Sequence, residues 1–277
     1  MVDGRFRALA ISNFLRQHDL VQVQWVFLSS VSGAPQRDKV KPNQSLTRVQ
    51  DKNASLLLRF DGILVIVGGG TVDTDLLRKF AARGAHLVGA DGGGDAIRAA
   101  GLIPEAIIGD LDSLADPESW GADTRVIRIA EQDSTDFEKV LYSTEAPVTI
   151  ALGMMGKRFD HGLAALDAVT RRGRGRAIIL VDEVDIALAL DHGFRFAVPS
   201  GTRVSIHPLT PTRFARSTGL KYPLDGLLLA QGVRTGTSNE ADAAEFSIEP
   251  MPGDDGVFLL ILERKWLGPL VERLLEG

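Results

Sequence analysis

The sequence predicts an α/β protein: a parallel sheet with helices on both faces, followed by a smaller all-β domain of sandwich or barrel type. Three observations carry that prediction. Between residues 62 and 181, short apolar runs alternate with segments of helical periodicity. The apolar runs are continuous rather than alternating, as expected for strands covered on both sides. Past about residue 183 the helical signal nearly disappears, and strand-length runs lie between Gly, Pro and Ser clusters.

Residues 1–55 read as an N-terminal extension of undetermined role. Phe6, Leu9, Ala10 and Phe14 fall at helical spacing, Val21, Val23, Trp25 and Phe27 alternate like a strand, and 29–53 is a polar linker. The α/β domain is expected over 56–185. Its first strand is Gly62–Val67, ending in Gly68-Gly69-Gly70, and the acidic stretch Thr71–Asp75 starts a helix. Leu76, Leu77, Phe80 and Ala81 share one face of that helix, and Gly84 closes it. The rhythm continues with strands at 86–90, 106–108, 125–129, 147–152 and 177–181, and helices at 95–100, 136–143 and 163–171. The all-β domain is expected over 186–277. Asp191-His192-Gly193 marks a hairpin turn there, and strands are expected at 194–198, 203–207, 227–230, 245–248 and 257–263.

Composition narrows the function. The 277 residues contain no cysteine, which excludes disulfide staples and thiolate metal sites and fits a reducing, cytoplasmic home. A net charge of −5 argues against a nucleic-acid partner bound through a basic surface. The run Arg171-Arg172-Gly173-Arg174-Gly175-Arg176 reads as a solvated helix end and turn. No apolar segment approaches the roughly 18–20 residues that span a bilayer, so no membrane partner is expected. The N-terminus lacks a secretory apolar core and cleavage site.

Four segments fall where strands should end, the edge at which open parallel sheets bind ligands. Gly109-Asp110-Leu111-Asp112-Ser113 carries two carboxylates that an extended backbone would project to one side. Such a pair suits a hard divalent cation such as Mg²⁺, the alternative being an ordinary solvated turn. Asp91-Gly92-Gly93-Gly94 offers backbone amides to a phosphate, or is simply a flexible turn. In Gln132-Asp133-Ser134-Thr135-Asp136-Phe137-Glu138-Lys139, Thr135 and Glu138 have capping-box spacing, which puts Asp136 in a first helical turn. Lys139 is then either a phosphate partner or a solvated charge.

The fourth segment, Gly153–His161, is not a P-loop. Ala151 stands where the first glycine is required and Arg158 where the Ser or Thr is required, though Arg158 remains a fork for phosphate oxygens. Asp160 reads as a helix cap or a site residue. Gly68-Gly69-Gly70 lacks dinucleotide-binding spacing, because Asp73 occupies its last position. With no Ser-His-Asp or Cys-His arrangement in view, the inventory is that of metal-assisted nucleotide triphosphate binding and direct group transfer.

Six segments in order make the chain resemble the thiamine pyrophosphokinase family: Ala90–Gly93, Gly109–Ser113, Gln132–Phe137, Gly156–His161, Thr218–Leu224 and Thr237–Asn239. The resemblance covers roughly residues 60–262. It implies a Rossmann-like catalytic domain, a β-sandwich thiamine-binding and dimerisation domain, and a homodimer with sites at the subunit interface. The implied reaction is thiamine + ATP → thiamine diphosphate + AMP, with Mg²⁺ as cofactor. It implies that Asp91, Asp110, Asp112 and Asp136 form the metal site, with Arg158 completing the catalytic set. Nucleotide contacts are implied for Asp91, Gly92, Gly93, Thr135, Lys139, Arg158 and Asp160, and thiamine contacts for Gln132, Tyr222, Ser238 and Asn239. Tyr222 stands where relatives often have Trp, and Asp95 where many have Asn. The alternatives are a pyrophosphokinase for another alcohol, such as a pterin, and a nucleotide- or thiamine-binding sensor without turnover.

Overall fold

The computed structural model describes residues 58–276; the helix, strand and linker expected within residues 1–55 lie outside that range. Leu58–Arg59 (β1) pairs parallel with a second short strand further on. Ile63–Val67 (β2) is the centre of the architecture. All five of its residues are buried: Ile63, Val65 and Val67 feed one apolar cluster, and Leu64 and Ile66 feed the other. That is the physical meaning of the continuous apolar run, which packs helices on both faces of the sheet.

Thr74–Ala82 (α1) starts at Asp73, whose carboxylate accepts from the amides of Asp75 and Leu76 and also pairs with Arg264. The chain continues through His86–Ala90 (β3), Gly93–Ala99 (α2), Ala106–Gly109 (β4), Arg125–Arg128 (β5) and Asp136–Ser143 (α3). It then forms Thr144–Glu145 (β6, the partner of β1), Val148–Leu152 (β7), Phe159–Arg172 (α4) and Ala177–Val181 (β8). Leu77 and Phe80 of α1 and Ile97 of α2 pack on one face, and Val140 and Leu141 of α3 with Ala165, Ala168 and Val169 of α4 on the other. The strands of this half lie in the order β8-β7-β2-β3-β4-β5, all parallel. After β2 the chain builds outward on one side through β5 and then returns to β2's other side at β7. The strand order therefore reverses between β2 and β7, the crevice where such sheets bind ligands.

The remaining strands are Asp185–Leu190 (β9), Phe194–Ala197 (β10), Arg203–Pro208 (β11), Thr212–Thr218 (β12), Leu228–Leu229 (β13), Gly236–Glu240 (β14), Glu245–Pro250 (β15) and Phe258–Glu263 (β16). β9 runs antiparallel to β8, and β16, β11 and β14 follow it in the same sheet, giving ten strands. The change of character near residue 185 is thus a change of strand direction within one hydrogen-bonded sheet. A second sheet, β10-β15-β12-β13, contributes Phe196, Phe214, Phe246 and Ile248 to the same buried cluster as Ile186, Leu188, Val204, Ile206, Phe258 and Leu260 of the large sheet.

The expectation that helix disappears after residue 183 is corrected at the end of the chain, where Leu267–Leu275 (α5) buries Leu267, Leu270 and Val271. The i, i+3, i+4 spacing of those residues carried the signal, which is short and has Pro269 in its first turn. The fourth helix begins four residues before its expected start at residue 163.

Candidate active site

The site lies at the carboxyl ends of the parallel strands, in a cleft of about 780 Å³. Gly68–Gly70 after β2, Asp91 after β3, Asp110 after β4 and Gly153–Arg158 after β7 all line it. Close packing admits only glycine at several of these turns. A Cβ on Gly93 would lie 1.8 Å from the Val67 carbonyl oxygen, and one on Gly94 would lie 2.5 Å from Ile107 Cδ1. Glycines that read as a phosphate cradle are therefore first required to seat α2 against the sheet. At Gly109 a Cβ would meet Asp91 Cβ at 2.8 Å and Asp136 Oδ1 at 3.0 Å, so the missing side chain is what lets those two carboxylates approach.

The route by which Asp110 and Asp112 come together differs from the expected one. Leu111 has φ 68°, so the backbone is not extended, and the two residues flank a tight left-handed turn. They converge through that turn, in which the Asp112 amide donates to Asp110 Oδ1 at 3.2 Å. Asp91 also sits at positive φ, 47°. Such conformations in non-glycine residues cost of order 1 kcal/mol or more and are concentrated at functional sites.

Asp91, Asp110 and Asp112 each offer a carboxylate oxygen, all within 4.8 Å of one another. Asp91 is only 4% exposed. Its Oδ2 accepts from the Ser113 amide at 3.0 Å, while its buried Oδ1 has no hydrogen-bond partner. Burial raises its pKa, and the nearby Asp136 and Asp110 charges push the same way. Asp110 is displaced downward, chiefly by the hydrogen bond from Gln132 Nε2 at 2.9 Å and further by the Lys139 charge.

Thr135 caps α3, accepting from the Glu138 amide at 3.4 Å, and this places Asp136 at the helix's first residue. Asp136 Oδ1 accepts from the Asp110 amide at 3.2 Å and from Lys139 Nζ at 3.0 Å. Lys139 is not a solvated charge. It is 1% exposed, and its ammonium lies between Asp136 and Asp110, with Asp110 Oδ2 at 3.9 Å. Asp136 and Asp110 thus share one buried counter-charge.

Arg158 stands at the mouth of the cleft, its guanidinium gripping Asp160 through Nε–Oδ1 at 3.1 Å and Nη2–Oδ2 at 2.6 Å. Asp95 does not join the carboxylate cluster by hydrogen bonding; it accepts from the Ala115 amide at 2.8 Å and fixes the loop that follows Ser113. Gln132, expected beside thiamine, lines the cleft and donates to Asp110. Tyr222, Ser238 and Asn239 lie away from this cleft in the antiparallel half. Tyr222 is 60% exposed, and Asn239 is buried with its amide spent on the Tyr222 backbone, Oδ1 accepting at 3.1 Å and Nδ2 donating at 2.7 Å. Ser238 takes φ 58°, and its amide donates to Ser205 Oγ at 2.9 Å.

Sequence reasoning missed the groups that hold the Gln132–Thr135 loop. Glu131 accepts from the amides of Asp133 and Ser134, from the Ser134 hydroxyl and from Tyr142 Oη at 3.1 Å. Burial alone would raise its carboxyl, but these donors outweigh burial and hold it below its ordinary range. Burial and Glu131 together push the Tyr142 phenol up to about 12. Glu138, the other half of the expected capping box, does not reach back to the cap. It is buried and binds Arg172 Nε at 3.1 Å and Arg171 Nη2 at 3.2 Å, joining α3 to α4. The expected solvated helix end therefore supplies two structural arginines.

Comparison with known proteins agrees with this geometry. Residues 77–181 match the family model described as the thiamin pyrophosphokinase catalytic domain. Thiamin pyrophosphokinase 1 of Caenorhabditis elegans is 27% identical over 157 residues, covering 51% of this chain and 64% of that protein. Thiamine pyrophosphokinase 1 of Oryza sativa subsp. japonica is 29% identical over 156 residues, covering 49% and 58%. The chain thus spans less than two thirds of the length of these curated relatives. The crystal structure of thiamin pyrophosphokinase from Geobacillus thermodenitrificans superposes with a TM-score of 0.60 at 25% identity, over 73% of this chain and 97% of that one. The Candida albicans thiamin pyrophosphokinase shares the fold, with a TM-score of 0.59 at 16% identity over 74% and 92%.

Proposed function

We propose that this chain, whose catalytic domain belongs to the thiamine pyrophosphokinase family, transfers the pyrophosphoryl group of ATP to the hydroxyethyl group of thiamine. One observation carries the reading: Asp91, Asp110 and Asp112 converge within 4.8 Å at the carboxyl ends of the neighbouring strands β3 and β4, with the buried Asp91 Oδ1 unpartnered. Hard oxygen donors in that number fit a divalent cation such as Mg²⁺. Asp91, Asp110 and Asp112 would hold it, and Asp136 would complete the acidic wall. Once bound, the cation would offset charge on the transferring phosphates.

The remaining work falls to the chain's own groups. Lys139 and the Asp110 amide fix the Asp136 carboxylate, and Gln132 fixes Asp110, so the acidic wall needs little reorganisation on binding. Arg158 is the mobile cation: exposed at the cleft mouth, it exchanges Asp160 for phosphate oxygens of the same fork geometry. The thiamine hydroxyl oxygen attacks the β-phosphorus and gives up its proton to solvent as the bond from the β-phosphorus to the bridging α-phosphate oxygen breaks, and AMP departs with that electron pair. The Rossmann-like half supplies this chemistry. The antiparallel half, read as a β-sandwich, brings Tyr222, Ser238 and Asn239 to the thiamine of a partner subunit in a cytoplasmic homodimer. That assignment is supported by their absence from the lining of the chain's own cleft and by the exposure of Tyr222, whose ring suits a flat cation. No helix among the described residues is long and apolar enough to cross a membrane.

The test is incubation of the purified full-length protein with ATP, Mg²⁺ and thiamine, or a pterin alcohol, with chromatographic identification of products. Formation of AMP and thiamine diphosphate in equal amounts is expected. Turnover only with the pterin alcohol would reassign the acceptor, and tight binding without AMP would make the chain a sensor.

A further inference from the structure

A second cavity, of about 630 Å³, opens at the opposite edge of the sheet, lined by Pro147 just before β7, Ala177 at the start of β8, and residues of β9, β10, β15 and α5. The catalytic cleft is at the carboxyl ends of β7 and its neighbours, so a strand's length separates the two. Three arginines line this cavity: Arg176, Arg195 and Arg273. Arg176 is pinned by donating to the Leu141 carbonyl at 2.6 Å and the Thr144 carbonyl at 3.1 Å, and burial lowers its pKa. The nearest acid acting on it, Glu145, is already paired with Arg59 at 3.2 Å. Arg273 lies 5.9 Å from the centre of the Phe194 ring and makes no ion pair among the described residues.

Among the residues lining the cavity, the three arginines face a single carboxylate, Glu249. Outside the lining, Glu245 holds Arg195 at 3.5 Å, and Asp191 holds His192 at 2.8 Å and the Gly175 amide at 3.0 Å. A partly buried guanidinium without a carboxylate is costly unless an anion arrives. Phe194, Leu190 and Leu274 add an apolar wall beside the charges. We propose that this cavity is a second ligand site, remote from the cleft, for a phosphate-bearing small molecule with an apolar or aromatic body. Arg273 and Arg195 would grip the phosphate, and the preset Arg176 would supply fixed positive charge.

Titration calorimetry of the full-length protein in metal-free buffer, with inorganic phosphate and with phenyl phosphate, tests this. Saturable binding is expected, tighter for phenyl phosphate, and weakened about ten-fold in Arg273→Gln and in Arg195→Gln. Arg158→Gln, at the catalytic cleft, should leave it unchanged. Equal affinity for the two probes would still support the site but assign it to the phosphate alone. Loss in Arg158→Gln with none in Arg273→Gln would place the binding in the cleft and overturn the proposal. So would the absence of saturation up to roughly 10 mM of either probe.

Discussion

Replacing Lys139 with methionine isolates the buried counter-charge on which the acidic cluster depends. The ammonium lies 3.0 Å from Asp136 Oδ1 and 3.9 Å from Asp110 Oδ2, and the lysine side chain is 2% exposed against 30% and 15% for its partners. At an effective dielectric constant of about 20, those separations correspond to gross attractions of about 5 and about 4 kcal/mol, much of which desolvation of the ammonium cancels. The loss on substitution is instead governed by the two carboxylates left crowded without a cation, for which about 3–5 kcal/mol is typical. In a domain of this size that corresponds to a fall of roughly 6–20 °C in Tm. The assay is thermal unfolding in metal-free buffer of the wild type, Lys139→Met, Asp136→Asn and the double variant. The double variant should recover a substantial part of the Lys139→Met loss, because one of the crowded charges is gone. A Lys139→Met protein as stable as wild type, or a strictly additive cycle, would refute the argument that this ammonium neutralises the cluster.

Asp112 is exposed, so Asp112→Asn should leave Tm unchanged while lowering kcat by about 100-fold or more, measured as AMP formation. Gly109→Ala places a methyl group against Asp91 and Asp136, and should cost about 1–3 kcal/mol in denaturant unfolding and disturb both carboxylates enough to depress activity. Glu131 has a lowered pKa in the folded state, so its stabilising effect is complete above its unfolded value of 4.5 and is lost as pH falls through the folded value. The stability gap between wild type and Glu131→Gln should therefore be present at neutral pH and close as acid is added below that point. Leu270, fully buried on α5, should cost about 2–5 kcal/mol when replaced by alanine, a loss read from denaturant midpoints.

The parallel half was legible because its signals are local. The five-residue apolar run of β2 could only be covered on both faces, and strand–helix alternation then fixed which turns share an edge. Those turns singled out Asp91, Asp110, Asp112 and Asp136, which the structure brings close together. What escaped was conformation and pairing between distant segments. Residue type alone does not reveal that Leu111 adopts a left-handed backbone, so the convergence of Asp110 and Asp112 was anticipated for the wrong reason. The burial of Lys139 depends on where α3 meets β4, and the ion pairs of Glu138 with Arg171 and Arg172 span more than thirty residues of chain. The antiparallel strands were harder still: β12 and β14 are rich in Thr, Ser and Arg, and neither shows a strong apolar alternation. α5 carried the right spacing but too few turns for the periodicity to stand out.

In the proposed reaction, the cleft of carboxylates at the strand ends directs attack to the β-phosphorus of ATP. Labelling ATP with ³²P at the β position and following the label through a single turnover with thiamine and Mg²⁺ tests it directly. The label should pass entirely into thiamine diphosphate, leaving unlabelled AMP, and the transfer should disappear in Asp112→Asn. Label retained in ADP, with thiamine monophosphate as the other product, would show attack at the γ-phosphorus and contradict the account.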